Sequence, residues 1–138
     1  MSGELDFSGK TVLVVGGSSG IGNGIAQSFR ARGAAVHVCG TRASAADYAG
    51  TSGSDLEGLT YAQLDAGDIG AIERWSPGFD RLDVLVLSQG MVLYGRREYT
   101  NEGFAQVIDV NLNSLMAFSM KFHPMLKAAR GSLIIISS

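Results

Sequence analysis

The sequence predicts an α/β fold with a doubly wound parallel sheet. Short, β-branched apolar runs alternate with helix-like segments five times, and the first run ends in a cluster of glycines. Continuous apolar runs are typical of strands buried on both faces, and alternation with helices is typical of parallel sheets with right-handed crossovers. A chain of 138 residues can form one such domain with its own core. We therefore expect residues 1–138 to form a single domain.

The strands are predicted where apolar runs are short and bounded by turn residues. The last run, LIII, is as apolar as the others, and we expect it to be a fifth buried strand. If it were the outer strand it would be an unusually apolar edge, which folded proteins normally cover. The sheet is thus expected to be incomplete at its C-terminal side. The predicted strands cover residues 11–15, 35–39, 59–64, 83–87 and 132–137.

The helices are predicted from apolar residues that recur every three or four positions. Ile21, Ile25 and Phe29 share one face of a helix over residues 21–32, and a short helix is expected over residues 66–75. Between them, residues 40–58 show weak periodicity and are expected to form a loop with at most a short helix.

The longest helix is predicted over residues 101–129. Apolar side chains recur through this stretch at three- and four-residue steps, and Thr100 or Asn101 can cap its N-terminus. Pro124 lies inside the pattern, so we expect a kink near it.

Charge and composition exclude several classes of function. The net charge is −2, which provides no basic surface for duplex nucleic acid or for an anionic membrane. Cys39 is the only cysteine, so no intrachain disulfide or cysteine metal site can form, and a reducing compartment is expected. The first residues contain no apolar signal region, and no apolar run approaches the roughly 20 residues of a membrane helix. We expect a cytoplasmic protein without a metal.

A glycine-rich turn joins the first strand to its helix. Residues 16–22 read GGSSGIG, with Gly16, Gly20 and Gly22 in a GxxxGxG spacing. Glycines there allow a tight turn and a close approach of the backbone to a diphosphate, and the helix N-terminus offers unpaired N–H groups. The pattern predicts a Rossmann-like dinucleotide site formed by Gly16, Ser18, Ser19, Gly20, Ile21 and Gly22.

The end of the second strand predicts which dinucleotide binds. An acidic residue at this position would hold the ribose 2′-hydroxyl of NAD, but the sequence has Thr41 and Arg42, and the next acid is Asp47. Arg42 can pair with a 2′-phosphate and Thr41 can hydrogen-bond to it. We therefore predict that NADP(H) is preferred over NAD(H).

The order of these motifs resembles the short-chain dehydrogenase/reductase family over essentially the whole chain. The residues that carry the resemblance are the glycine turn at 16–22, Asp65 after the third strand, DVLVLSQG at 83–90, DVNL at 109–112 and GSLIIISS at 131–138. The resemblance implies that Asp65 contacts the adenine amino group and that Ser88 and Gly90 border the cofactor. It also implies two catalytic residues: Ser138, which orients the substrate oxygen, and Asn111, which sustains a proton-relay water.

Three departures from the family pattern bear on function. Val15 stands where a threonine hydroxyl usually braces the glycine turn, and LSQG at 87–90 replaces NNAG. None of the four tyrosines is followed four residues later by a lysine, so the family's Tyr-x-x-x-Lys pair is missing. Proton transfer by such a pair contributes roughly 10²–10⁴-fold to a rate.

The resemblance implies an oxidoreductase that transfers hydride between a nicotinamide cofactor and an alcohol or carbonyl substrate. We expect these residues to be the N-terminal part of a longer reductase and inactive alone. A non-catalytic dinucleotide-binding module or partner subunit is the main alternative, and a Rossmann methyltransferase is a more distant one. By the same resemblance, the protein is expected to be a homo-oligomer, either a dimer or a tetramer.

Overall fold

The strands of the protein form one parallel sheet, as the sequence predicts. The computed structural model describes residues 5–137. The strands are β1 (Thr11–Val15), β2 (Ala35–Gly40), β3 (Thr60–Gln63), β4 (Val84–Leu87) and β5 (Ser132–Ile135). Their order across the sheet is β3-β2-β1-β4-β5, and every neighbouring pair is parallel. The direction of winding therefore reverses between β1 and β4, as in doubly wound folds.

The helices lie between the strands and differ from the predicted bounds by a few residues. The short second helix begins later than expected because the Asp68 side chain accepts a hydrogen bond from the Ala71 N–H and caps it. The loop at 40–58 contains one 3₁₀ turn, Ala45–Tyr48, and a second 3₁₀ turn is Arg97–Tyr99. The α-helices are α1 (Gly20–Ala31), α2 (Ile69–Arg74), α3 (Asn101–Ile108) and α4 (Ser114–Ala129).

The long helix predicted over residues 101–129 is interrupted, but not at its proline. A π turn, Asp109–Asn113, separates α3 from α4, whereas α4 continues past Pro124 to Ala129. The kink expected near Pro124 stays a prediction. Pro124 is exposed, so a carbonyl left unpaired by its missing N–H can reach water. The irregularity occurs instead where a side chain, that of Asn111, bonds outside the helix.

The core consists of two clusters, one on each face of the sheet. Because side chains alternate along a strand, Leu13 and Leu85 point to one face and pack with Phe118 and Phe122 of α4. The opposite face is lined by Val12, Val14, Val36, Val38, Val84 and Val86, which pack with Ala26 of α1. This two-sided burial explains why β1 and β4 are almost entirely apolar.

The fifth strand is exposed, which corrects the expectation of a buried strand. Leu133, Ile134 and Ile135 are 43%, 40% and 44% exposed. The reason is topological: within residues 5–137, β5 pairs only with β4 and lies at the outer position of the sheet. In the described part of the chain, β5 is thus the exposed apolar edge strand that the sequence analysis described as unusual.

A buried carboxylate holds the two central strands together at their amino ends. Asp83 precedes β4, and its Oδ2 accepts a hydrogen bond of 2.9 Å from the N–H of Thr11 at the start of β1. The Arg81 side chain donates to the same carboxylate, at 2.8 Å from Oδ1. These bonds align the starts of β1 and β4, and hence the ends of both strands where the winding reverses.

Neither a membrane span nor a metal cluster is found within residues 5–137. No helix there is both long and apolar enough to cross a bilayer. The same residues contain no group of three or more His, Cys, Asp or Glu side chains arranged to hold a metal ion.

Candidate functional site

A cleft of about 890 Å³ opens at the carboxyl ends of β1 and β4. This is the position where the order of strands reverses and where open α/β sheets bind their ligands. The glycine turn, the ends of β2, β3 and β4, and one face of α3 all contribute to its walls. Its volume is in the range of binding pockets, which is roughly 300–1,000 Å³.

The glycine turn packs against the end of β4 without space for side chains. Gly16 has a φ of +76°, and a Cβ on it would lie 2.9 Å from the backbone nitrogen of Gln89. A Cβ on Gly22 would collide with both the Gly16 carbonyl oxygen and the Ser88 hydroxyl. These two positions require glycine for close approach, so the backbone itself forms the surface of the cleft.

The first turn of α1 presents unpaired amide donors to this cleft. The Gly20 N–H donates to the Gly53 carbonyl at 3.0 Å, and the Asn23 N–H donates to Ser19. The N–H groups of Ile21 and Gly22 have no hydrogen-bond partner among residues 5–137. Together with the positive end of the helix dipole, they suit a bound anion such as a diphosphate. The residues present therefore fit a dinucleotide.

The charged side chains of the cleft do not attract an anion. Asp65, Glu102 and Asp109 line it, whereas no lysine or arginine of the described chain does. Binding of a diphosphate here must therefore depend on backbone amides and on the helix dipole.

Side chains of α1 hold the glycine turn against a neighbouring loop. The Asn23 Nδ2 donates to the Gly17 carbonyl at 3.1 Å and to the Asp55 carbonyl at 2.8 Å, and its Oδ1 accepts from the Asp55 N–H. Gln27 also donates to the Asp55 carbonyl. Asn23 is nearly buried, so these bonds keep the turn in place without a ligand.

The residues that replace the family's usual ones at the end of β4 make bonds of their own. The Ser88 hydroxyl donates to the Val15 carbonyl at 2.6 Å, which braces the turn where Val15 itself has no hydroxyl. The Gln89 Nε2 donates to the Ser114 hydroxyl at 2.9 Å, and this ties β4 to the start of α4. Hydrogen bonds thus hold the LSQG segment to the glycine turn and to α4, although the two asparagines of the NNAG pattern are absent.

The asparagine predicted to be catalytic does not line the cleft. The Asn111 Nδ2 donates to the Met91 carbonyl, and its Oδ1 accepts from the Met91 N–H. Gly90 lies beside it, since a Cβ on Gly90 would be 3.1 Å from Oδ1. The side chain thus holds the loop after β4 to the π turn. Ser138, the other predicted catalytic residue, lies outside the described residues.

The residues predicted to bind the adenosine end lie close to one another. Thr41 and Asp65 line the cleft, and the Asp65 Oδ1 accepts a hydrogen bond from the Gly67 N–H at 2.8 Å. Arg42 is exposed just beyond the lining, where its guanidinium lies over the Tyr48 ring.

The cleft brings together most of the residues that the sequence singled out. Gly20, Arg42 and Asn111 are near it but do not line it. The sequence analysis did not predict that one face of α3 forms a wall of the cleft, although the lining residues on that helix recur every three or four positions. The predicted residues that line the cleft are Gly16, Ser18, Ser19, Ile21, Gly22, Thr41, Asp65, Ser88 and Gly90; those missed on α3 and the π turn are Glu102, Ala105, Gln106, Asp109 and Val110.

Cys39 lines the cleft, but its thiol is expected to be a poor nucleophile. Cys39 is 1% exposed at the end of β2, and burial raises the pKa of its thiol to about 12. His37, two residues earlier, contacts the Phe79 ring at 4.7 Å between centroids, and burial lowers its pKa. Both side chains contribute to packing, as their positions in an apolar strand indicate.

Curated proteins of similar sequence are reductases and dehydrogenases. The 3-oxoacyl-(acyl-carrier-protein) reductase FabG of Chlamydia muridarum is 31% identical over 94% of this chain and 55% of its own length. A tropinone reductase homologue of Arabidopsis thaliana is 32% identical over 96% of this chain and 53% of its own length. The chain thus spans about half the length of the curated relatives it matches.

Solved structures also resemble this chain in fold. The Pseudomonas aeruginosa RhlG/NADP active-site complex superimposes with a TM-score of 0.82 at 26% identity, over 100% of this chain and 58% of that one. A short chain dehydrogenase/reductase family protein gives a TM-score of 0.80 at 27% identity, over 96% and 56%. The sequence model of the family described as short chain dehydrogenase matches residues 10–138. The chain belongs to the short-chain dehydrogenase/reductase family.

Proposed function

We propose that this chain is a single NADP(H)-binding domain of an oxidoreductase that transfers hydride between nicotinamide and an alcohol or carbonyl substrate. The observation that carries the proposal is the pair of unpartnered amides, Ile21 and Gly22, in a cleft where Gly16 and Gly22 leave no room for side chains. Such a surface suits a diphosphate at close range.

The glycine turn is proposed to bind the pyrophosphate. The backbone of Gly16, Gly20, Ile21 and Gly22 would approach it closely, and the hydroxyls of Ser18 and Ser19 would add donors. Ser88 and Gly90 would border the cofactor at the end of β4. In this arrangement every strong contact to the pyrophosphate comes from neutral donors.

The adenosine end is proposed to favour NADP(H). Arg42 would pair with the 2′-phosphate and Thr41 would hydrogen-bond to it, while Asp65 would accept from the adenine amino group. The solved complex of P. aeruginosa RhlG with NADP, whose fold this chain shares, supports the same choice. No acidic residue occupies the position of Arg42 to repel a phosphate.

The chemistry is proposed to need residues beyond the cofactor site. The nicotinamide, when bound, gives or takes the hydride. Ser138 would hold the substrate oxygen through its hydroxyl, and Asn111 would support the water that relays the proton. A Tyr-x-x-x-Lys pair is not among the 138 residues, so we expect this chain alone to bind cofactor but not to turn over substrate.

The substrate is proposed to be a small alcohol or carbonyl compound. The names of the relatives describe reductases of 3-oxoacyl groups and homologues of tropinone reductase, together with an L-fucose dehydrogenase. These compounds share a carbonyl or a hydroxyl carbon that can exchange a hydride. We further propose that the protein acts in the cytoplasm and binds neither nucleic acid nor membranes.

Substitution of Arg42 tests the cofactor preference. Arg42→Ala should weaken NADPH binding by roughly 1.5–3 kcal/mol, the scale of a hydrogen bond to a charged group. NADH binding should barely change. Isothermal titration of both cofactors measures this, with Arg74→Ala on α2, outside the cleft, as a control. Equal losses for NADPH and NADH would show that Arg42 does not discriminate between them.

A non-catalytic dinucleotide-binding module is the second candidate function. It is favoured by the Asn111 side chain, whose two polar atoms are both bonded to Met91. Both candidates bind NADPH, so binding does not separate them. Sequencing of the gene beyond Ser138 does separate them, because a downstream Tyr-x-x-x-Lys would supply the acid–base pair that the enzyme needs. Oxidation of NADPH with simple ketones tests a different point: substantial turnover by this chain would refute its dependence on a Tyr–Lys pair.

A homo-oligomer, either a dimer or a tetramer, is also proposed. Phe104, Leu112, Met116 and Met120 are 58–67% exposed along α3, the π turn and α4. Exposed apolar rows of this kind are typical of helix pairing between subunits. Sedimentation velocity of the wild type and of Met116→Glu measures it: the charge should shift the protein towards a smaller species.

A further inference from the structure

The main chain at the end of β2 is held in place by side chains of β3. The Gln63 Nε2 donates to the Thr41 carbonyl at 3.0 Å, and the Tyr61 hydroxyl donates to the Arg42 carbonyl at 2.5 Å. The Arg42 N–H in turn donates to the Tyr48 hydroxyl at 3.3 Å. Both backbone polar groups of Arg42 are therefore bonded to tyrosines, and the direction in which its side chain leaves the strand is set.

Tyr48 is the centre of this arrangement. It is 5% exposed, and its hydroxyl lies 3.3 Å from that of Tyr61 and is hydrogen-bonded to Ser18 of the glycine turn. Burial alone would raise the pKa of Tyr48, but the hydrogen bonds that its hydroxyl accepts, from Ser18 and from the Arg42 N–H, outweigh it and lower the pKa. The hydroxyl thus connects the glycine turn to the end of β2.

The Arg42 guanidinium lies on the Tyr48 ring and is bonded at one end only. Its Cζ is 4.6 Å from the centroid of the ring, within the range of cation–π attraction. Nη1 donates to the Asp47 carbonyl at 2.7 Å and to the Thr51 hydroxyl at 3.2 Å. Nε and Nη2 have no hydrogen-bond partner in the described part of the chain. Arginine often binds a phosphate through two parallel N–H donors, and this edge has them.

We propose that Tyr48 is a positioning residue that sets the preference for NADP(H) by holding the Arg42 guanidinium with its Nε–Nη2 edge free for the 2′-phosphate. This rests on the proposed function, in which a dinucleotide occupies the cleft. A long side chain that is held before the ligand arrives loses less rotamer freedom on binding. The aromatic ring supplies the surface, and the 3₁₀ turn Ala45–Tyr48 supplies the acceptor for Nη1.

The experiment compares Tyr48→Leu with Tyr48→Phe by isothermal titration of NADPH and NADH. Tyr48→Phe keeps the ring under the guanidinium, and its Kd for NADPH should stay within about threefold of wild type. Tyr48→Leu removes the ring, and its Kd for NADPH should rise about tenfold while its Kd for NADH stays within about twofold. Tyr99→Leu, an exposed tyrosine outside the cleft, is the matched control and should change neither.

A double variant distinguishes positioning from a direct or a purely structural role. In the Arg42→Ala background, Tyr48→Leu should have no further effect on NADPH binding, because nothing is left to position. Additive losses would overturn the proposal, as would equal losses for NADPH and NADH, or no loss at all, in Tyr48→Leu. If that variant does not fold, Tyr48→Met, which fills the site with a flexible apolar chain, replaces it with the same expectations.

Failure of the proposed function has a different result. If the wild type binds neither cofactor, or if Arg42→Ala weakens both equally, the NADP(H) assignment is overturned, and the role of Tyr48 with it. If Arg42→Ala weakens only NADPH binding while Tyr48→Leu leaves it unchanged, the cofactor assignment stands and the positioning role alone is refuted.

Discussion

Asn111 and the main chain of Met91 are joined by two hydrogen bonds, one in each direction, of 2.8 Å from Nδ2 to the carbonyl and 2.9 Å from the N–H to Oδ1. The pair connects the π turn Asp109–Asn113 to the loop that follows β4. Gly90 and Met91 of that loop line the cleft. The side chain that was predicted to act on a water is thus placed where it shapes the wall of the site.

Removal of the Asn111 amide should therefore destabilise the protein. Asn111→Ala leaves two backbone groups of Met91 without partners, which should lower the free energy of unfolding by about 1–3 kcal/mol. Urea denaturation followed by circular dichroism measures it. Asn113→Ala is the control from the same π turn, since Asn113 is exposed and its loss should cost less than about 0.5 kcal/mol. Similar losses for the two variants would contradict this role of Asn111.

Two glycines of α1 should respond to alanine in opposite ways. A Cβ on Gly22 meets the Gly16 carbonyl and the Ser88 hydroxyl, whereas a Cβ on Gly24 meets nothing within 4 Å. Gly22→Ala should lower the free energy of unfolding by about 1–3 kcal/mol and weaken NADPH binding at least about tenfold. Gly24→Ala should stabilise the helix by about 0.5–1 kcal/mol. Thermal melts and cofactor titrations measure both, and a neutral Gly22→Ala would show that the turn has room to move.

The stabilisation by Asp83 should depend on pH with a defined sign. The hydrogen bonds from Arg81, and from the Thr11 N–H, outweigh burial and lower the pKa of this carboxyl. Its contribution should be complete above about pH 5 and be lost as the pH falls through its folded pKa, which lies below the ordinary value of about 3.9. Asp83→Asn should cost about 1–3 kcal/mol at neutral pH, and less in acid.

Urea denaturation of wild type and Asp83→Asn at pH 7, 5 and 3 measures this difference. Asp80→Asn, an exposed neighbour, is the control and should stay within about 0.5 kcal/mol of wild type. A difference between wild type and Asp83→Asn that grows towards pH 3 would have the wrong sign and would contradict the assignment.

The thiol of Cys39 should be inert in the folded protein. Its pKa is raised to about 12 by burial, so almost no thiolate exists at pH 8. Ellman's reagent should label the native protein slowly and label it completely in urea. Rapid labelling of the native protein would mean that the end of β2 opens readily.

The glycine turn shows how much of the site could be predicted. Gly16, Gly20 and Gly22 have a spacing that only a tight strand-to-helix turn requires, and the structure places them at the switch between β1 and β4. The positions of β1 and β4 could be predicted equally well, because burial on both faces selects an unbroken apolar run. At these residues the glycine spacing and the apolar runs of the sequence correspond directly to the turn and the strands of the fold.

The π turn and the cleft wall on α3 could not be predicted in the same way. A heptad-like apolar pattern continues from Phe104 to Ala129, and a π turn adds only one residue to it. The helix is interrupted at Asn111, whose side chain exchanges two hydrogen bonds with Met91, twenty positions earlier. Likewise, the cation–π contact of Arg42 depends on where a short 3₁₀ turn places Tyr48, and no periodicity encodes that.

The π turn also restricts how this region can change in length. An α-helix rotates by about 100° and advances by about 1.5 Å per residue. A π turn takes up one extra residue, so its residues rotate the chain about as far as an α-helical segment one residue shorter. Deleting one residue between Asp109 and Asn113 would therefore restore an unbroken α-helix with α3 and α4 in nearly their present orientation. Because Phe118 and Phe122 anchor α4 in the core, α3 would keep its face towards the cleft. A one-residue deletion in the π turn should thus leave the ligand-facing wall in place, whereas one within α3 would turn part of that wall by about 100°.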